Sequence, residues 1–363
     1  MFQNIYSGKK VLVTGHTGFK GSWLSKWLLE LGAEVAGLSL YVPSNPSHYE
    51  ILKLANDIND YEGDIRDLKK AESIIGEFKP DVLFHLAAQP IVSSAIENPV
   101  DTYTTNIIGT TNMLEAIRNT PSLQAAVFIT SDKCYENVEW EYGYRERDQL
   151  GGKDPYSASK AGAEIVFSSY FRTYFKDTPK QFLATARAGN VIGGGDWAKD
   201  RLIPDCMTHW ADKKQLEIRS TSATRPWQHV LEPLSGYLTL GMELIKKNNN
   251  IAGEAFNFGP DASMNLSVGD IAEHVSTYCD GFQWYSKAKK GITGKEAMLL
   301  RLNCDKALTY LKWLPTLGID QTINNTLSWY KDFYEGKDAV EKTISQIKEY
   351  VAIAKERERS WTT

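Results

Sequence analysis

Tyr156 and Lys160 stand four apart at the start of a predicted helix, a spacing that puts both side chains on one face. An ammonium beside a phenol favours the phenolate and lowers its pKa from about 10 towards working pH. A phenolate so placed can take the proton of an alcohol while a hydride leaves the carbon that bears it. Upstream, Thr130-Ser131 closes a predicted strand. The carboxyl ends of strands are where sheets of alternating strands and helices hold their ligands. Asp132 and Lys133 follow directly, two ionisable groups side by side. As a surface turn they would form only a solvated ion pair of little worth.

A departing hydride needs an acceptor, and Gly15-His16-Thr17-Gly18-Phe19-Lys20-Gly21 is suited to hold one. The run 11–13 is a short buried strand, and apolar residues recur at helical spacing over 22–31, ending at Gly32. Between them lies G-x-x-G-x-x-G. A tight strand-to-helix turn without Cβ atoms lets a pyrophosphate approach the backbone and the positive end of a helix. The spacing alone is weak, but in this context it predicts a nicotinamide dinucleotide site. His16, at an x position of the turn, is not expected to be catalytic. The residues ending the second strand are Leu40-Tyr41-Val42-Pro43. They lack both the carboxylate that usually binds the ribose hydroxyls and a cation for a 2′-phosphate. NAD is expected, with NADP left open. Asp64 and Ile65 fall where an adenine could be held, although Asp64 also reads as a helix cap.

These groups need elements to position them. Strands are predicted at 34–40, 81–86, 125–130 and 182–187, with helices at 105–119 and 156–174 and one opening near 64–67. That alternation predicts an α/β fold, a Rossmann-type doubly wound parallel sheet. After about residue 190 the pattern changes, and 267–279 reads as a helix. The expected organisation is a cofactor domain over 1–190, with 226–258 returning to it. A smaller substrate-binding lobe over 191–335 and a charged helical tail over 336–363 complete it. The 363 residues carry a net charge of −4, which does not suggest nucleic acid as a partner. The four cysteines form no C-x-x-C pair, so no metal site is expected and a reducing compartment fits. No signal peptide and no run of about 20 apolar residues is seen. The expectation is a cytoplasmic protein with no membrane partner.

The glycine turn, Leu86-Ala87-Ala88-Gln89 and the set Ser131, Tyr156, Lys160 resemble the extended short-chain dehydrogenase/reductase family. Longer strings narrow the resemblance. His16-Thr17-Gly18-Phe19-Lys20-Gly21-Ser22-Trp23-Leu24, Thr130-Ser131-Asp132-Lys133-Cys134-Tyr135-Glu136-Asn137 and Arg187-Ala188-Gly189-Asn190-Val191-Ile192 are similar to the CDP-glucose 4,6-dehydratases. So are Gly151-Gly152-Lys153-Asp154-Pro155-Tyr156-Ser157 and Arg225-Pro226-Trp227-Gln228-His229-Val230. The resemblance spans about residues 8 to 335. It implies oxidation at C4 of a nucleotide hexose, loss of water across C5 and C6, and return of the hydride to C6. It also implies roles: Asp132 as the acid for the departing hydroxyl and Lys133 as the base at C5. Lysine near 10.4 and aspartate near 3.9 are poorly set for these roles in water, so both are expected to be buried. Cofactor contacts are implied for Gly15, Thr17, Gly18, Phe19, Lys20, Gly21, Asp64, Ile65, Leu86, Ala87, Ala88, Gln89, Asn106, Tyr156 and Lys160. Substrate contacts are implied for Gln89, Asn190, Lys199, Arg201 and Arg225. Helices 105–119 and 156–174 would pair into a homodimer or a dimer of dimers.

The sequence departs from that pattern where the sugar and ribose would sit. Ser93 and Ala95 replace an arginine and a serine, Tyr41 replaces the acid ending the second strand, and Lys295-Glu296-Ala297-Met298 replaces a histidine-containing string. A 4,6-dehydratase for another nucleotide hexose therefore stays open, as does a nucleotide-sugar 4-epimerase or reductase of the same fold. Only the dehydratase needs Asp132 and Lys133. A non-catalytic dinucleotide-binding protein would have no need of Tyr156 and Lys160.

Overall fold

Successive residues of a strand point to opposite faces of its sheet, and in the central strands of this protein both faces are apolar. Val11 and Val13 join Trp23, Trp27 and Leu234 in one core, while Leu12 joins Ile74, Met113 and Phe167 in another. Burial on both faces is the signature of a parallel sheet covered by helices on each side. The computed structural model describes residues 1–177, 180–218, 220–261, 264, 266–286 and 299–363. Lys295-Glu296-Ala297-Met298 lies outside them.

The main sheet is built from β1 (Lys10–Thr14), β2 (Glu34–Ser39), β3 (Asn59–Glu62), β4 (Val82–His85), β5 (Ala125–Ile129), β6 (Phe182–Arg187) and β7 (Ala255–Asn257). Its order is β7-β6-β5-β4-β1-β2-β3, and every pairing is parallel. The helices between strands include α1 (Phe19–Glu30), α2 (Leu68–Phe78), α3 (Gly109–Arg118), α4 (Pro155–Tyr170) and α5 (Leu231–Ile245). The chain runs from β1 outward to β3, then crosses back to β4 on the other side of β1. A crevice opens at such a reversal, outside the carboxyl ends of the two strands.

Helix α1 starts at Phe19, three residues before the expected 22, because Gly18 serves as its cap and Ser22 N–H donates to Gly18 O (2.9 Å). Phe19, Lys20 and Gly21 are thus its first turn. Helix α2 is capped by Asp67, whose carboxylate accepts from Lys70 N–H, rather than by Asp64. Among the described residues, three short strand pairs lie outside the main sheet: Val191–Ile192 with Gln228–His229, Thr224–Arg225 with Leu266–Ser267, and Leu216–Ile218 with Trp284–Ser286.

The charged segment near the C-terminus forms α6 (Ala339–Glu356), and one of its faces is deeply buried. Tyr350 and Trp361 pack edge-on to Trp27, and Phe2 stacks on Trp361 (centroids 5.1 Å apart). Its charged residues cover only the outer face. Beneath it lies Glu232 of α5, fully buried, which accepts from Thr316 N–H (2.9 Å), Leu317 N–H (2.5 Å) and the Tyr350 hydroxyl (3.0 Å). Burial pushes this carboxyl up to about 7, against those three donors. Its folded pKa lies above the ordinary carboxylate value. The stability it contributes is therefore full below about 4.5 and is lost as pH rises through 7.

Glu232→Gln keeps the shape and can hydrogen-bond the same partners without a charge. The wild-type melting temperature is expected to fall between pH 5.5 and 8.5 by several degrees more than that of Glu232→Gln. Parallel curves in calorimetry would show that Glu232 carries no such linkage.

Candidate active site

The glycine turn is shaped by close backbone contacts. Gly15 has φ +75°, and a Cβ on it would lie 2.7 Å from Ala87 N; a Cβ on Gly21 would lie 2.1 Å from Gly15 O. The fold itself requires both glycines. Gly18 is different: a Cβ there would meet only Gly15 O at 3.3 Å, so the space before the helix is open. The N–H groups of Phe19, Lys20 and Gly21 have no acceptor among the described residues. An open approach, unpaired first-turn donors and a helix dipole fit a dinucleotide pyrophosphate.

The rest of the turn is tied down. Thr17 N–H donates to Ser39 Oγ (3.3 Å), and its hydroxyl donates to Tyr41 O (2.8 Å). His16 is buried against Gly37, with its ring nitrogens on Ser39 Oγ (2.9 Å) and Asp60 Oδ1 (2.7 Å). Burial lowers its pKa against the pull of Asp60. It holds β1, β2 and β3 together and lies apart from the Ser131–Tyr156 group, as its place in the turn suggested. Tyr41 is exposed and leaves the end of β2 without a charge.

Where the adenine was expected, Ile65 is buried against Gly109, and Asp64 is engaged by Arg66 through N–H and Nε, each at 2.8 Å. Leu86 and Ala87 follow β4 and are fixed by Thr14, whose O and Oγ1 accept from their N–H groups (3.1 and 3.2 Å). Asn106 binds both backbone groups of Gln89 and the Ser159 hydroxyl. Its amide is thus fully engaged in positioning Gln89. The Gln89 side chain bridges Thr102 Oγ1 (2.9 Å) and Ile91 N–H (2.5 Å).

Ser131 caps a single turn, Asp132–Cys134, at the end of β5. Its hydroxyl donates to Asp132 Oδ1 (2.9 Å). Asp132 is 3% exposed and rests on the backbone of Gly189, where a Cβ would lie 1.8 Å from Oδ2. Asn190, at φ 51°, reaches the same carboxylate through Nδ2 (3.4 Å). Lys133 projects outward and is exposed. The expected burial therefore holds for Asp132 and fails for Lys133, because neighbours on a one-turn helix point in different directions.

Tyr156 and Lys160 lie on the first turns of α4, capped by Asp154, and both are buried. Burial pushes the phenol up to about 12, opposed by the Ser131 hydroxyl. Burial also brings Lys160 down to about 8, with Cys134 and Glu164 holding it up. The expectation that the ammonium would draw the phenol towards neutrality thus does not hold in the protein alone. Desolvation of the phenol outweighs any nearby positive charge.

Lys20 adds a feature the sequence did not reveal. Burial, Arg201 and Lys160 lower its ammonium to about 8, while Asp132 and Asp196 act the other way. Its ammonium thus responds to the charges of Asp132 and Lys160. Arg201 Nη1 donates to Asp196 Oδ2 (2.9 Å), and Lys199 is exposed. Arg225 stands on the Thr224–Arg225 strand, just before Gln228, whose N–H donates to Asn190 O (3.2 Å). Together the elements join Ser131, Asp132, Tyr156, Lys160 and Asn190 around one chamber. Thr17 is tied to the end of β2, and Asp64 and Ile65 to Arg66 and Gly109. The arrangement offers a proton acceptor for an alcohol, a buried carboxylate next to an exposed lysine in the chain, and a dinucleotide cradle.

Comparison with known proteins agrees with this geometry. The chain is 43% identical over 358 residues to a CDP-glucose 4,6-dehydratase of Salmonella typhimurium, covering 96% of this chain and 98% of that protein. The fold is shared with an epimerase of Methanothermobacter thermautotrophicus (TM-score 0.78, 24% identity, 92% of this chain and 95% of that one). It is also shared with a dTDP-glucose 4,6-dehydratase of Streptomyces venezuelae solved with NAD bound (TM-score 0.76, 22% identity, 91% and 99%). Residues 12–326 match the family described as GDP-mannose 4,6 dehydratase, and the chain belongs to that family.

Proposed function

We propose that this protein is an NAD-dependent nucleotide-sugar 4,6-dehydratase that converts CDP-glucose to CDP-4-keto-6-deoxyglucose. The observation that carries this reading is the buried Asp132 carboxylate beside Ser131. An alcohol oxidation alone has no use for it, whereas expulsion of a hydroxyl needs an acid at that place. The cytidine nucleotide rests on the Salmonella relative.

In this reading residues 1–190 and 226–258 hold the cofactor, and residues 191–335 form the substrate-binding lobe. NAD held by the cofactor residues would supply the hydride acceptor for C4 and the hydride donor for C6, and its oxidised ring would bring a positive charge to the chamber. The first-turn N–H groups of α1 bind its pyrophosphate. Tyr156 takes the proton of the C4 hydroxyl, steadied by Ser131 and Lys160. The C5 proton, now acidic beside a ketone, passes to Lys133. Asp132, in its protonated form, gives its proton to the C6 hydroxyl, which leaves as water; Lys133 returns its proton to C5 as the hydride reaches C6, and the proton left on Tyr156 passes through Ser131 to Asp132, which restores both groups. Asn190 and Gly189 keep Asp132 in place, while Arg201, Arg225 and Lys199 meet the substrate's pyrophosphate.

The protein acts in the cytoplasm, consistent with its free cysteines, and as a homodimer. The support for the dimer is apolar exposure on the helices of one face: Val100, Ile108 and Ile165 are 74%, 48% and 59% exposed. No helix among the described residues is long and apolar enough to cross a membrane.

Incubation with NAD and a panel of CDP-, dTDP-, GDP- and UDP-hexoses is expected to yield a 4-keto-6-deoxy sugar from CDP-glucose. A C4 epimer without water loss would replace this reading with the epimerase. Tyr156→Phe should lower kcat by about 10²–10⁴; a near-wild-type rate would remove Tyr156 from its role.

Asp132→Asn and Lys133→Met are expected to retain the first hydride step, so that NADH absorbance accumulates on the enzyme while no product forms. Product at the wild-type rate from Lys133→Met would exclude Lys133 as the base. Ile165→Asp should convert the dimer to monomers in light scattering, and an unchanged mass would place the interface elsewhere.

A further inference from the structure

Helix α4 carries a third ionisable group in register with Tyr156 and Lys160. Glu164 follows Lys160 by one turn, as Lys160 follows Tyr156, so all three lie along one face. Its carboxylate accepts from Thr130 Oγ1 (2.5 Å), Thr185 Oγ1 (2.9 Å), Arg187 Nε (2.9 Å) and Arg187 Nη2 (2.8 Å). Arg187 in turn donates through Nη1 to the Tyr135 hydroxyl (2.8 Å) and Glu146 O (3.1 Å), and its guanidinium lies 4.9 Å over the Tyr135 ring. The side chains of Arg187 and Glu164 are 3% and 4% exposed. Burial opposes the carboxylate charge, but Arg187 and the two threonine hydroxyls outweigh it.

A buried ion pair is a poor device for stability alone, since apolar residues of similar volume often serve as well. The connections of this pair are therefore informative. Thr130 immediately precedes Ser131, and Tyr135 closes the turn that holds Asp132 and Lys133. Arg187 ends β6 and leads into the Gly189–Asn190 backbone beneath Asp132. The pair touches every segment that carries a reacting group except the glycine turn.

We propose that Glu164 and Arg187 are positioning residues for the oxidation step: their opposed, fixed charges set the pH up to which Lys160 stays charged beside Tyr156. The inference rests on the reading of Tyr156 and Lys160 as the proton-transfer pair. Other charges face these two groups. Lys160 is faced by Cys134 from the turn after β5, His85 from β4 and Lys20 from the glycine turn, besides Glu164 on its own helix. Tyr156 is faced by Asp132, Arg201, Asp154 and Tyr237 of α5. Cys134 is itself faced by Glu164 and Arg187, so Cys134→Ser combined with each variant separates its part from theirs.

The sign follows from the charge left behind. Glu164→Gln leaves Arg187 uncompensated, which favours loss of a proton from Lys160. The alkaline limb of the kcat profile, set by the ammonium, should move to lower pH by about one unit. Arg187→Gln leaves the carboxylate uncompensated, and that limb should move up. The double variant Glu164→Gln/Arg187→Gln should return it to within about 0.3 of wild type. A merely structural role would lower kcat or the melting temperature without opposite displacements.

The second readout needs neither cofactor nor substrate. In protein made with Cε-¹³C lysine, the Lys160 signal, assigned by its absence in Lys160→Met, should titrate lower in Glu164→Gln and higher in Arg187→Gln. Each single variant makes a signed claim, so one folded variant suffices. Unmoved titration, or movement in the same sense for both, overturns the proposal. If wild-type protein turns over no nucleotide sugar while the lysine signals move as stated, the activity reading falls and the charge pairing stands.

Discussion

A methyl group cannot be inserted between Gly15 and the backbone of Ala87, and the architecture of the site depends on that contact. It brings the loops that leave β1 and β4 together at the place where the chain reverses its direction across the sheet. Thr14 then reaches across to His85 Nδ1 (2.8 Å) and Ala87 N–H, so that both strands end at one level. From this level the helix dipole of α1 points into the crevice from one side. Ser131, at the end of β5, faces it from the other. A single added carbon would separate the cradle from the chamber it serves.

Within the chamber, burial dominates. It pushes Tyr156 up and brings Lys20 and Lys160 down, so each group is shifted towards its uncharged form. Desolvation always disfavours charge, whatever its sign. A site of this kind is poised to respond to any charge brought into it. The oxidised ring of a bound nicotinamide would favour the phenolate that burial disfavours. The same physics makes the buried pair at Glu164 and Arg187 conspicuous, because it remains ionised where its neighbours tend not to.

Much of this was legible in the residues. The strand–turn–helix around Gly15–Gly21 could be read because glycine spacing and apolar periodicity report local backbone demands, and these survive in the fold. The alternation of strands and helices gave the parallel sheet for the same reason. What could not be read was orientation. Asp132 and Lys133 are adjacent in sequence, yet one points inward and the other to solvent, and only the cap at Ser131 decides which. Lys20 stands in the glycine turn, yet its ammonium also responds to the charges of Asp132 and Lys160, which its place in the chain did not disclose. Glu164 looked like an ordinary helix residue, since its partners Thr130, Thr185 and Arg187 come from separate strands. The segment around α6 appeared charged because its charged residues alternate with the apolar ones along the chain, and only the fold gathers Ile347, Tyr350 and Val351 on one buried face.

The contact of Trp361 with Trp27 and Phe2 has a bearing on biosynthesis. Trp27 emerges from the ribosome long before the residues that cover it. Until they arrive, the first helix presents a wide aromatic surface to its surroundings, as does the segment around Phe2. Domains generally form from the N-terminus as they are made, but here the first core remains open until the final helix docks. The nascent chain therefore keeps that surface uncovered until α6 docks, and a stop after β7 but before α6 would release a sticky fragment whose main sheet is complete.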